Sequence, residues 1–365
     1  PPPPPPPPYK DPPPTQNYTF IASSAASDVY KRQTQMAEFN IKNFRSGGLI
    51  TNYFCTSKCK HCLYNCSPRW EKRYIDSNAA EKSLMKIHSL RCRSVHIGGG
   101  EPLLRPDKFG KVLEIASEIG VSVEYVETNS SWFRNIVSAK ALLARLRQKG
   151  LKTLLVSISP FHNEQIPFSR VQGVIEAAKQ AGIGIFPWIT DFISDLSQFD
   201  PAHSHSLDEY RQVYGDDYLI QILQRYWIHL GGRALETFRP WLGKKTFQHI
   251  LDENPRSCAT ELTDTSHFHV DLFGNYIPGL CAGLAVCEDD LGTPLSMEKY
   301  PILVNLYQNG IGGLFVFARE RYGFSPQRTH YINKCDLCTE IRNHLIKNDY
   351  DESNELNPVE FYARN

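Results

Sequence analysis

The residues whose types and spacing carry the clearest chemistry are Cys55-Thr56-Ser57-Lys58-Cys59-Lys60-His61-Cys62, directly after an apolar run from Leu49 to Phe54. The pattern is CxxxCxxC. Iron–sulfur clusters are normally held by four thiolates, so three leave one iron without a protein ligand. An open coordination position is where a substrate or cofactor binds, as in catalytic rather than structural metal sites. The competing reading is a zinc knuckle closed by a nearby fourth ligand, for which His61 and Cys66 both qualify. Three more clusters follow at intervals: Gly98-Gly99-Gly100-Glu101-Pro102, Glu127-Thr128-Asn129, and Ser157-Ile158-Ser159-Pro160-Phe161-His162.

The elements that must position these groups alternate strand and helix. Strands are expected at 48–54, 93–97, 121–127, 152–159 and 183–189, with a short sixth at Trp227–Leu230. Between them lie a helix from Ser77 to Leu90 with Ser77 as N-cap, and one opening at Pro106. The second places Phe109, Val112, Leu113 and Ala116 on one face. Val171, Val174, Ile175 and Ala178 form another such stripe, and a longer helical stretch covers 207–226. Gly120, Gly150 and Gly182 each end a helical stretch, where a left-handed C-cap favours glycine. Strands alternating with helices argue for a parallel sheet with right-handed crossovers. The fold class expected is α/β, a partial (β/α)6 TIM-type barrel with a small Cys-rich C-terminal α+β extension. In such barrels catalytic groups sit on loops at the C-terminal ends of strands, and all four clusters fall there.

The cysteine spacing, together with Gly99-Gly100-Glu101-Pro102 as a GGEP motif, resembles the radical S-adenosylmethionine (SAM) superfamily over most of residues 48–233. The resemblance implies that Cys55, Cys59 and Cys62 ligate a 4Fe–4S cluster and that SAM chelates its open iron. The reduced cluster then cleaves SAM to a 5′-deoxyadenosyl radical that abstracts hydrogen from a substrate. It implies cofactor contacts from Gly99, Gly100, Glu101 and Pro102 to the SAM ammonium, and from Glu127, Asn129, Ser157 and Ser159 to its ribose or carboxylate. His61 takes a place the family often fills with an aromatic residue, beside the cluster. Gly182–Trp188 resembles the adenine site only loosely. Gly231-Gly232-Arg233-Ala234 resembles the GRA segment of relatives with extra clusters, so Arg233 is expected to fork onto a carboxylate of SAM or substrate. His162 and Glu164 are candidates for substrate positioning or proton transfer.

In the C-terminal third, 268–271, Gly274 and Asn275 read as a β-hairpin that leads to Cys281. With Cys258 and the CxxC pair Cys335/Cys338, this resembles a degenerate SPASM- or twitch-like auxiliary region. The ligand set expected for a second 4Fe–4S cluster is Cys258, Cys281, Cys335 and Cys338, with Cys287 as a spare; Cys₄ zinc is the alternative. Cys66 and Cys92 read as ordinary buried thiols.

Composition sets the remaining bounds. The 365 residues are 41% hydrophobic with a formal net charge of +1, which gives no electrostatic case for nucleic acid or an anionic membrane. No signal peptide or membrane-spanning run is read from the sequence. Ten cysteines without a secretion signal favour metal binding in a reducing, anaerobic cytoplasm. Residues 1–8 are all proline and 28–33 resemble a translated sequencing adapter. The domain reading is therefore 1–35 a disordered, artefactual tail; 36–235 the core; 236–348 the auxiliary-cluster region; and 349–365 a mobile tail. Expected partners are SAM, an electron donor such as flavodoxin or ferredoxin, and a small-molecule or peptide substrate. The alternative function is a non-catalytic zinc-binding scaffold.

Overall fold

The computed structural model describes residues 38–187, 190–350 and 354–363. The chain from Phe39 onward forms one unit; the expected tail at 1–35 lies outside the described residues. The frame of this unit is one sheet in the order β5-β4-β3-β2-β1-β6-β7-β8. The strands are β1 (Gly47–Ile50), β2 (Ser94–Gly98), β3 (Ser122–Thr128), β4 (Thr153–Val156), β5 (Gly184–Pro187), β6 (Phe268–Asp271), β7 (Asn275–Ile277) and β8 (Val286–Cys287). The first five and β6 are parallel; β7 and β8 are antiparallel. This is a mixed α/β fold with a parallel core, an open partial barrel whose sheet does not close.

The crossovers form as their sequences dictate. Asp76, not Ser77, caps the helix Ser77–Ser89, accepting from Ala79 N at 2.8 Å. Helices Pro106–Ile119 and Phe168–Ala181 end on Gly120 (φ 84°) and Gly182 (φ 70°), both left-handed. Phe109, Val112, Leu113 and Ala116 are all buried, as are Val171, Val174 and Ala178. The expected stretch 207–226 is two helices, Leu207–Tyr214 and Tyr218–Arg225, separated at Gly215. Trp227–Leu230 is not a strand. The sixth parallel strand is instead β6, which pairs with the other edge of β1.

Strand alternation assigns a common inner face. Gly48 pairs with His96 and with His269, Ile50 with Gly98 and with Asp271. A register shift between β2 and β3 brings Tyr125 and Glu127 to that same face, and the β3–β4–β5 pairing continues it through Leu155 and Phe186. The hairpin of β6 and β7 forms as read, with Gly274 at φ 77°.

Helix Pro301–Tyr322 is long and apolar enough, by length and composition, to cross a membrane, but 61% of its apolar window is buried inside this unit. It breaks at Gly310 (φ 64°), where a Cβ would lie 2.3 Å from Arg256 O. The segment read as a mobile tail is docked against its start. Glu355, fully buried, accepts from Ile302 N and Leu303 N at 2.7 Å each, and Leu356, Phe361 and Tyr362 are buried. A carboxylate at the positive end of a helix satisfies donors that have no partner within the helix. Glu355→Ala is expected to lower unfolding stability by about 3 kcal/mol, because two buried N–H groups lose their acceptor. Urea unfolding followed by far-UV circular dichroism checks it.

Candidate functional site

Beyond β1 the chain runs extended across the sheet's C-terminal edge before the cysteine loop. Thr51 N donates to Gly98 O at 3.1 Å and Gly100 N to Asn52 O at 2.7 Å. The glycine loop after β2 lies so close that a Cβ on Gly100 would sit 2.0 Å from Phe54 O. One on Gly99 (φ +137°) would sit 2.4 Å from Asn52 O. Only glycine permits that approach of two backbones.

On its other side the cysteine loop is gripped by the start of helix Arg233–Leu242. Gly232 (φ +53°) lets that turn come within what would be 2.2 Å of Leu63 O for a Cβ. Arg233 N donates to Cys62 O (3.1 Å), Nε to Cys59 O (2.9 Å) and Nη2 to Cys66 O (2.5 Å). Thr237 Oγ1 donates to Lys60 O at 2.6 Å. Arg233 is buried, and its Nη1 has no hydrogen-bond partner among the described residues. The fork expected to meet a carboxylate of SAM or substrate is therefore occupied by loop carbonyls.

Cys55, Cys59 and Cys62 share the wall of a cavity of about 200 Å³. Cys55 Sγ accepts from Ser57 N and Asn129 Nδ2, both at 3.3 Å. Burial pushes the Cys55 thiol up to about 12 and Cys59 well above its ordinary value, while the Arg233 charge acts the other way on both. Cys66 also lines the cavity. Its thiol hydrogen-bonds to Cys62, which lowers Cys62 and raises Cys66. Four free thiols on one wall, three of them in the CxxxCxxC spacing, N–H groups aimed at a sulfur and a buried guanidinium with an unpartnered nitrogen suit a thiolate-held iron–sulfur cluster.

The other residues expected at the site divide into two groups. Gly99, Gly100, Pro102, Glu127, Asn129, Ser157 and His162 line the cavity, as does His61; Glu101, Ser159 and Glu164 do not. Glu101 is a buried brace, accepting from Asn129 N (2.7 Å), Leu103 N (3.1 Å) and Thr128 Oγ1 (3.1 Å). Ser159 caps a short helix and meets His162 Nδ1 at 2.7 Å. Glu164 pairs with Lys60 at 2.7 Å and accepts from Leu207 N at 3.3 Å. Asn129 faces the cavity with its amide already engaged on Cys55.

Glu127 has no hydrogen-bond partner among the described residues, and a Cβ on Gly98 opposite would sit 2.7 Å from its Oε2. Burial, then the charge at Cys62, raises its carboxyl to about 7. Burial drops His162 to about 4, and drops His61 well below its ordinary value. The His61 ring stacks on Phe161 at 4.7 Å. Trp188 of the loosely matched adenine segment lies outside the described residues.

Cys258, Cys281, Cys335 and Cys338 line a second cavity, of about 220 Å³, with Lys334 and Arg342. Burial raises Cys335 to about 11 and Cys258 to about 12. Arg342 donates to Ala282 O (2.9 Å) and Tyr362 OH (3.0 Å), and its buried Nε has no partner among the described residues. Cys287 lies exposed on β8 and does not line this cavity. Leu63, His229, His267 and Leu280 line both cavities.

Residues 49–194 match the sequence profile of the Radical SAM superfamily. The matched stretch takes in the cysteine loop, the glycine loop and strands β2 to β5. Solved structures similar to the chain include a methylornithine synthase (PylB), at 18% identity and TM-score 0.30, covering 40% of this chain and 44% of that one. SuiB of Streptococcus suis is similar at 14% identity and TM-score 0.30, over 70% of this chain and 64% of its own. The chain thus spans less than two thirds of either. The anSMEcpe structure with bound AdoMet is similar at 13% identity and TM-score 0.41, over 83% and 97%.

Around the first cavity, sequence reasoning read Cys66 both as a possible fourth ligand and as an ordinary buried thiol, without placing it on the wall it shares with Cys62. It also missed His229, His267 and His269 in the cavity walls. The supports of the loop can be tested one at a time. Arg233→Met is expected to cost about 3 kcal/mol, since buried carbonyls lose donors, and to lower iron and sulfide per chain after anaerobic reconstitution. Burial raises Glu101 from 4.5 to about 7 in the folded chain. Its contribution is thus fully present below pH 4.5 and lost as pH rises through about 7. The stability of wild type relative to Glu101→Gln should fall by up to about 3 kcal/mol across that range, measured by urea unfolding at a series of pH values.

Proposed function

We propose that the protein is a radical SAM enzyme whose Cys55, Cys59 and Cys62 hold a 4Fe–4S cluster with one iron left to SAM. The observation that carries this reading is the meeting of those three thiols with the glycine loop and Glu127 around one cavity. The cluster these thiols would hold would supply one electron to the SAM sulfonium, releasing methionine and a 5′-deoxyadenosyl radical able to take hydrogen from an unactivated C–H.

The chain's own residues bind, orient and seclude. Ser57 N–H and Asn129 Nδ2–H hold the Cys55 sulfur. Backbone groups at Gly99 and Gly100 accept the SAM ammonium. Glu127, an acceptor without a partner, suits the same ammonium or the ribose hydroxyls, and Ser157 suits the ribose or carboxylate. His162, held by Ser159, positions substrate or takes up a proton. Tyr226, Trp227 and His229 complete the cavity wall.

Cys258, Cys281, Cys335 and Cys338 hold a second 4Fe–4S cluster, closed by four thiolates and so an electron relay. A flavodoxin- or ferredoxin-like donor supplies the electrons. The second cysteine set and the GRA segment favour a peptide or protein as substrate.

One observation favours a second reading: Cys66 stands in thiol contact with Cys62 and would close the first site as a fourth ligand, leaving a metal-binding scaffold. Anaerobic reconstitution with iron and sulfide separates the two. Cys66→Ala is expected to keep its iron and to cleave SAM to 5′-deoxyadenosine under dithionite within about threefold of wild type. Cys59→Ala should lose at least about 100-fold, as loss of a ligand costs more than loss of a supporting contact. A Cys66→Ala variant without cluster, or a colourless wild type holding stoichiometric zinc, sinks the enzyme reading.

A further inference from the structure

Below the cavity floor stands a donor set that contains no cysteine. Gly48 of β1 pairs in register with His96 on one side and His269 on the other. A Cβ on Gly48 would lie 2.3 Å from His96 Nε2 and 2.8 Å from His269 Cδ2. Because Gly48 has no side chain, the two rings meet across β1 with their Nε2 atoms 2.9 Å apart. His267, two residues before His269 and on the same face, stacks on His96 at 5.4 Å and 14° and stands edge-on to His269 at 5.0 Å. One ring nitrogen from each of the three lies within 4.8 Å of the others.

We propose that His96, His267 and His269 bind a divalent transition metal ion of the zinc type, with its fourth coordination position open to the cavity. Imidazole donors without thiolate or carboxylate suit zinc and its first-row neighbours rather than magnesium or calcium. Three protein ligands and one open position are the arrangement of catalytic rather than structural zinc. The opening has a direction: His267 and His269 line the cavity, while His96 is buried behind them. An orienting contact is present too. Tyr64 OH lies 2.7 Å from His269 Nδ1, which engages that nitrogen and leaves Nε2 for the ion, as partners of metal-bound histidines do.

Simple aromatic packing is the rival account, since Tyr125, His96 and His267 form a stack, the first pair 5.0 Å apart at 8°. Packing explains the parallel rings but not three ring nitrogens converging. The Nε2 atoms of His96 and His269 face each other with room for one shared proton, and His267 has no hydrogen-bond partner among the described residues. A tetrahedral ion with bonds of about 2.0–2.1 Å wants donors about 3.3 Å apart. Rotation of His267, the least enclosed of the three rings, closes the remaining gap.

This histidine site stands independently of the SAM reading. The test takes the full chain, loaded anaerobically with iron and sulfide and desalted, and titrates it with Zn²⁺ by calorimetry and elemental analysis, then with Co²⁺ by visible spectroscopy. One Zn²⁺ per chain beyond the iron is expected, bound at micromolar Kd or tighter. Co²⁺ should give d–d bands without thiolate-to-cobalt charge transfer. His267→Gln and His269→Gln should each weaken binding by at least about tenfold at unchanged iron content. Zn²⁺ uptake equal in wild type and both variants overturns the proposal. So does a Co²⁺ spectrum in wild type dominated by thiolate charge transfer, a readout that needs no variant to fold and that separates this site from zinc bound at the cysteines.

Discussion

A single buried guanidinium sets the cysteine loop. Arg233 donates to the carbonyls of Cys59 and Cys66 through its side chain and to Cys62 through its backbone. Its charge also acts to lower the nearby thiols against burial, behind the Ser57 N–H at Cys55 and the Cys66 hydrogen bond at Cys62. A loop of inward-facing thiols must turn its carbonyls outward, and buried carbonyls need donors. A buried cation equally needs acceptors and nearby negative charge. Each requirement answers the other, which is why the approach at Gly232 tolerates no side chain. The same helix continues to Arg239, whose fork meets the fully buried Asp336 at 2.8 and 3.1 Å. Asp336 lies between Cys335 and Cys338. One ten-residue helix therefore touches the supports of both cysteine sets.

Around the first cavity, residues of similar type do different work according to solvent access. Glu101 follows β2 and Glu127 stands near the end of neighbouring β3, yet one is ringed by donors and the other has none among the described residues. Ser159 and Ser157 divide in the same way, one a helix cap and the other a cavity wall. A buried acceptor surrounded by backbone N–H groups fixes shape; an acceptor facing a cavity is available to a ligand.

Much of this architecture was legible in the chain itself. Glycine punctuation and the three-four spacing of apolar residues placed the crossover helices, because both signals are local. The glycine loop and the first three cysteines were legible for the same reason. The sixth strand was not: Trp227–Leu230 is a short apolar run, and such a run forms a cavity wall as readily as a strand. Nor was the partner of β1's open edge, since β6 lies more than two hundred residues further on. The roles of Arg233 and Glu164 depend on which carbonyls and amines tertiary packing brings near. The docking of Glu355 was hidden inside a polar segment that reads as solvated, and the histidine set joins positions 173 residues apart.

The seat of β1 between β2 and β6 has a consequence for how the protein is made. A nascent chain that has reached the end of β5 has no partner for one side of β1, and bare strand edges recruit whatever strand is nearest. Arg233 emerges later still, so the thiols cannot be arranged for iron while the first half alone is outside the ribosome. In the enzyme proposed above, iron delivery would thus follow translation past residue 271, where β6 ends. Products that stop short of it would be substrates for chaperones and proteases rather than for the cluster-building machinery.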